Sequence, residues 1–133
     1  MKKIIFYFLI IFSMLNAEVI NVEATPEFLK SNPDLKIIDI RTPAEWRQTG
    51  IVEGAYTLTF FDERGYYNIE DFLNKLNKIV KRDERFALIC RTGSRTTMVS
   101  NFLGNRLGYH VVNLRGGLMR LMQLGYKPVP YNK

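Results

Sequence analysis

Apolar positions in this chain alternate between two periods. Phe86-Ala87-Leu88-Ile89 is an unbroken apolar run, too short for a helix, and reads as a strand buried on both faces. It leads into Cys90 and a turn rich in Gly, Ser, Thr and Arg. Val99, Phe102, Leu103 and Leu107 then recur at helical spacing, with Gly108 as a stop. Ser94, Thr96 and Thr97 each offer a side-chain N-cap for that helix. Ile69, Phe72, Leu73, Leu76, Ile79 and Val80 place a second amphipathic helix over 69–80.

The rest of the chain follows the same rhythm. Residues 18–22 form a first strand, and Thr25 caps a short helix with Pro26 in its first turn. A turn at 31–34 precedes a second strand over 35–40. Thr42-Pro43-Ala44-Glu45 is a capping box, opening a helix that carries Trp46 and stops before Gly50. A third strand falls at 55–59, followed by an aromatic, partly charged loop over 60–68. A fifth strand is expected at 109–114. Gly116-Gly117 opens a last helix over 118–124, ended by Gly125. No internal repeat or low-complexity segment interrupts the series. Alternating strands and helices imply an α/β fold with a mostly parallel sheet covered on both faces.

The 133 residues fit one domain, and the net charge of +6 is spread along the chain. That surplus suits small anionic molecules. No basic block alternates with aromatics, so no nucleic-acid partner is expected. Met1-Lys2-Lys3, the apolar stretch 4–15 and Ala17 read as a signal peptide over 1–17, leaving a domain over 18–133. The apolar stretch is shorter than the roughly 20 residues of a spanning helix, so no stable membrane span is expected after cleavage. Leu15 is not the small residue a cleavage motif favours, which leaves an uncleaved membrane anchor as the alternative. The expected location is a bacterial periplasm.

Export gives Cys90 weight, because it is the only cysteine and can form no internal disulfide. A leftover cysteine in an exported chain reads as an intermolecular link or a working thiol. The bland alternative is a small buried hydrophobe at a strand end. Its position favours chemistry: open α/β sheets place ligands at the carboxyl ends of their strands. Loop amides, the following helix N-terminus, Arg91 and Arg95 all bring positive charge. Lowering the thiol pKa by roughly two units, to make the thiolate the main form near neutral pH, takes about 2.7 kcal/mol. One helix end supplies roughly 0.3–2 kcal/mol, so amides or arginines must contribute. No second cysteine supports a dithiol redox motif, and no ligand cluster suggests a metal.

Cys90-Arg91-Thr92-Gly93-Ser94-Arg95 resembles the six-residue active-site loop of the rhodanese family of sulfurtransferases. Two further segments agree, in the right order. Asp39-Ile40-Arg41 through Trp46, with Gly50 to Ala55, resembles the family's segment near the start of the domain. Leu114-Arg115-Gly116-Gly117 and Gly125 to Pro128 resemble its closing segment. Ile51, Val52, Glu53 and Leu121 depart from the usual residues, at positions that touch packing and turn shape. The resemblance implies a three-layer α/β/α rhodanese-like fold with five strands, and no cofactor.

It also implies a mechanism. Cys90 would take the outer sulfur of a small anionic donor, thiosulfate or polysulfide, and hold it as a persulfide. A second nucleophile, cyanide or a thiol, a protein thiol included, would then remove it. Arg91 and Arg95 would attract the donor; the alternative is that they point to solvent or to a carboxylate. Gly93 reads as a backbone requirement. Thr92 and Ser94 either bond the persulfide or cap the helix. Asp39 needs a partner at the end of a buried strand. It either orients an arginine near the loop or caps the Thr42 turn, and Arg41 is a similar supporting residue. Trp46 reads as core and His110 as structural.

Two rivals stand beside this reading. Cysteine phosphatases and arsenate reductases place an arginine six residues after the cysteine, where this chain has Thr96. A carrier or partner-binding module without turnover would keep the cysteine but work only with a protein acceptor.

Overall fold

The computed structural model describes residues 17–133, so the expected signal peptide lies almost entirely outside the described residues. Five strands run β1 (Val19–Glu23), β2 (Ile37–Asp39), β3 (Tyr56–Thr57), β4 (Arg85–Ile89) and β5 (His110–Arg115). The helices are α1 (Pro26–Ser31), α2 (Pro43–Thr49), α3 (Ile69–Ile79), α4 (Ser94–Asn101) and α5 (Gly117–Gln123). The strands form one sheet in the order β1-β5-β4-β2-β3, and every pairing is parallel. The α/β class and the five-stranded parallel sheet agree with expectation.

Side chains along β4 explain the layering. Phe86, Leu88 and Cys90 face one side with Phe72 and Leu76 of α3, and with Val99 of α4. Ala87 and Ile89 face the other with Leu118 and Leu121 of α5, and with Phe28 and Leu29 of α1. Period-two alternation in a strand covered on both sides requires apolar residues at every position, which is what the unbroken run provides.

Three local expectations change. The third strand shrinks to two residues, because beyond Thr57 the chain bonds Leu58 N–H to the Asp39 carbonyl and Phe60 N–H to the Ile40 carbonyl without a full ladder. The helix over 94–107 is not uniform: α4 widens into a π-helical turn at Phe102–Arg106. Gly104 lies there against β1, where an added Cβ would come within 2.4 Å of Val19 Cγ2. Finally, no Ser or Thr side chain caps α4. Gly93 is its N-cap, in the left-handed region at φ 98°.

Candidate active site

Cys90 follows β4 directly and is completely buried. The chain then bends at Gly93, whose positive φ is open to glycine at little cost. That bend turns the Gly93 N–H back onto the sulfur, to which it donates at 3.2 Å. Thr96 Oγ1 lies 3.6 Å from Sγ. The Gly93 carbonyl is held by three donors: Thr96 Oγ1 at 3.2 Å, Thr97 Oγ1 at 2.8 Å and Thr97 N–H at 3.1 Å. Two of the three hydroxyls expected to cap the helix, those of Thr96 and Thr97, bond instead to the residue that occupies the cap. Asn113 of β5 extends the chain of contacts, donating from Nδ2 to Thr97 Oγ1 at 3.2 Å. Ser94 and Thr92 are exposed at the loop surface.

The back of the loop is fixed by the start of α5. Leu118 N–H donates to the Cys90 carbonyl at 2.9 Å, and Met119 N–H to the Arg91 carbonyl at 3.0 Å. Gly117 makes this approach possible, at φ 63° and with the position of a Cβ only 2.5 Å from both carbonyl oxygens. The sequence marks Gly116-Gly117 as a helix opening; its grip on the cysteine loop arises from tertiary approach. Gly117→Ala is expected to cost at least about 2 kcal/mol, from left-handed strain and overpacking together. The thermal midpoint reports that loss. Impaired thiol chemistry in the protein that remains folded would show displacement of the loop.

The two loop arginines behave differently. Arg91 is exposed and has no ion-pair partner among the described residues. Arg95 is held in a two-pronged pair with Glu45, at 2.7 and 2.8 Å. That bond, helped by the charges of Glu45, Cys90 and Asp39 and opposed by burial, raises Arg95 above its ordinary value. In return, Arg95 holds the Glu45 carboxyl down at about 2, against an ordinary 4.5. A depressed carboxyl stabilises the fold fully above its unfolded value and loses that contribution as it protonates. The contribution of Glu45 therefore fades as pH falls from about 4.5 towards 2. Glu45→Gln is expected to lower stability at neutral pH and flatten the acid limb. Urea midpoints measured from neutral to strongly acid pH check this.

Asp39 and Arg41 do not bond the loop. They bond each other, both essentially fully buried, with Arg41 NH2 2.8 Å from Asp39 Oδ2. Asp39 Oδ1 also accepts from Arg41 N–H at 3.0 Å and from Trp46 Nε1 at 3.1 Å. Arg41 further donates to Thr49 Oγ1 and to the Gly50 carbonyl, each at 2.8 Å. These contacts seat both ends of α2 on the sheet. Glu45, which closes the capping box with Thr42, is thereby presented to Arg95. Trp46 is buried, as read from sequence, and adds the Asp39 bond. Glu45 and Gly117 are the site residues that sequence reasoning missed as such.

Fold and loop define a class: a parallel α/β/α domain that presents one cysteine in a backbone-lined cradle at the carboxyl rim of its sheet. The chain belongs to the rhodanese-like domain family, whose model matches residues 25–123. An uncharacterized protein of Rickettsia prowazekii is 33% identical over 81 residues, covering 59% of this chain and 63% of the relative. The Arabidopsis thaliana Protein HIGH ARSENIC CONTENT 1, mitochondrial, is 25% identical over 112 residues, covering 84% of this chain and 65% of the relative. The chain thus spans slightly less than two thirds of either relative. The crystal structure of a rhodanese-like domain protein from Staphylococcus aureus has a TM-score of 0.60 at 20% identity, covering 87% of this chain and 99% of that one. Similarity at that identity concerns the fold.

Proposed function

We propose that the domain is a sulfurtransferase in which Cys90 carries sulfane sulfur as a persulfide. One observation carries this reading: the single buried sulfur accepts a backbone N–H from a left-handed glycine in a loop flanked by Arg91 and Arg95. Donors aimed at sulfur stabilise negative charge on it, as required of a nucleophile, a leaving thiolate and a persulfide anion. With thiosulfate as donor, the Cys90 thiolate attacks the sulfane sulfur. The new S–S bond forms as the old one breaks, and sulfite leaves with its electron pair. An acceptor, cyanide or a thiol, then attacks the outer sulfur and returns Cys90 as thiolate. Arg91, unpaired and exposed, is the loop cation available to the donor. Arg95, committed to Glu45, holds the loop in place.

The test is intact mass after incubation with thiosulfate. A gain of roughly 32 mass units, reversed by cyanide and absent from Cys90→Ser, supports the persulfide. No gain with thiosulfate or polysulfide overturns it. The plant relative's name is reason to run arsenate and a phosphate ester alongside. Against that second reading, the sixth residue after the cysteine is buried Thr96, which bonds Gly93 and offers no cation to a tetrahedral oxyanion. Turnover with a protein thiol and none with small thiols would mark a carrier. Export to the periplasm is part of the proposal and rests on the pattern of residues 1–17.

A further inference from the structure

Asn113 carries a cost that packing does not explain. β5 turns Val111 and Asn113 towards the face that holds Cys90 and α4, and Val111 joins the core there. Asn113 is 1% exposed, yet its Oδ1 has no hydrogen-bond partner among the described residues. A buried polar atom without a partner destabilises a fold, and an apolar residue would continue the strand between Val112 and Leu114 without that cost. The amide makes two side-chain bonds, both from Nδ2. One goes to Asn21 Oδ1, its register partner on β1, at 2.9 Å, and the other to Thr97 Oγ1 on α4 at 3.2 Å.

An amide nitrogen only donates. Thr97 Oγ1 therefore accepts from Asn113, and its own proton is left for the Gly93 carbonyl, 2.8 Å away. That carbonyl is the handle on a residue with no side chain to hold it. Gly93 stands at φ 98° and ψ −7°, and a glycine leaves such angles at little cost unless its backbone is held. Its N–H points at Sγ, 3.2 Å away, only while those angles are kept. One line of bonds thus runs from β1 and β5, through a single hydroxyl, to the residue that donates to the sulfur.

We propose that Asn113 is a positioning residue: it sets the Thr97 hydroxyl, which holds the Gly93 backbone with its N–H on the Cys90 sulfur. For its effect on sulfur transfer the inference rests on the persulfide reading. It also makes Asn113 a point where stability and reactivity oppose each other, since the amide that aims the loop leaves one of its own atoms orphaned in the core.

Persulfide formation from thiosulfate is followed in single turnovers by intact mass, with the thermal midpoint measured alongside. Asn113→Val is expected to lower the maximal rate about fivefold, the scale of one neutral hydrogen bond. The half-saturating thiosulfate concentration stays the same, because Arg91 is untouched. The midpoint is expected to equal or exceed that of wild type, since the orphaned oxygen goes with the amide. Thr97→Val is expected to show the same loss of rate, and Thr97→Ser, which keeps the hydroxyl, to recover most of it. The double variant Asn113→Val, Thr97→Val is expected to be no slower than Thr97→Val alone, because one line of bonds is cut only once. Ser100→Ala is the control. It removes another buried hydroxyl of α4 that has no partner among the described residues, and is expected to leave the rate unchanged. A wild-type rate in Asn113→Val overturns the proposal, as does a double variant about 25-fold slow or a loss that Ser100→Ala shares. So does an Asn113→Val midpoint well below wild type, which would assign its slow rate to damage of the fold. If wild type takes up no sulfur, the persulfide reading has failed by itself. Alkylation of Cys90 by iodoacetamide, which needs the thiol alone, then reads the same order of rates, and equal rates there overturn the positioning role.

Discussion

On the proposed persulfide mechanism, Cys90→Ser is expected to fold normally and to lose sulfur transfer by roughly 10⁴-fold or more, the scale seen when a catalytic nucleophile is removed. The substitution exchanges sulfur for a smaller oxygen at a fully buried position beside Thr96 Oγ1 and the Gly93 N–H. Both neighbours can bond a hydroxyl, so the polar group is not orphaned and the cost in stability stays near or below about 1 kcal/mol. The alkoxide that would have to replace a thiolate is inaccessible at neutral pH, and among the described residues the hydrogen-bonding neighbours of Sγ, Thr96 Oγ1 and the Gly93 N–H, include no base to generate it. Steady-state transfer from thiosulfate to cyanide, with the thermal midpoint as control, checks both halves. Residual transfer above about a hundredth of wild type would place the sulfur-accepting group somewhere other than Cys90.

Arg41→Met is expected to cause the largest loss of stability among single substitutions at the site. It leaves the Asp39 carboxylate buried, still accepting from the backbone N–H of position 41 and from Trp46 Nε1 but without a counter-charge. Breaking one side of a buried pair costs about 3–5 kcal/mol, chiefly through the stranded charge. In a domain of this size that corresponds to a fall of roughly 10–20 °C in thermal midpoint. Adding Asp39→Asn removes the stranded charge, and the double variant is expected to recover part of the loss instead of summing two losses. The same variants test the route from strand to loop. When α2 loses its bonds at Thr49 and Gly50, Glu45 loses its fixed position opposite Arg95. Activity per folded molecule is therefore expected to fall in Arg41→Met and to stay low in the double variant, which recovers stability but still lacks those bonds.

The contrast between what sequence shows and what it hides is clear at these residues. The run Phe86 to Ile89 and the Thr42–Glu45 capping box were legible because their causes are local, in side-chain period and in a three-residue spacing. The Glu45–Arg95 pair joins residues fifty positions apart, and no local pattern marks one carboxylate as the partner of one guanidinium. Glu45 was read for its capping role and fills that role as well. Hydroxyl caps were expected for α4 on intrinsic preference. Gly93 displaced them because the cradle needs its backbone turned towards the sulfur, and Thr96 and Thr97 then became braces for its carbonyl. The π-helical turn was hidden for a related reason: the approach of Gly104 to Val19 belongs to packing between distant elements.

Because every strand points the same way, the sheet has two unlike rims. The described chain enters at the rim where strands begin, with Glu18 paired to Arg85 and its carbonyl bonded to Val111. Cys90 sits where β4 ends, about 17 Å away at the usual rise per residue. A tag, a carrier domain or a lipid surface attached ahead of Ala17 therefore meets a face that holds no part of the cradle. Such a tether leaves the rim that carries the cysteine loop unobstructed by the attachment.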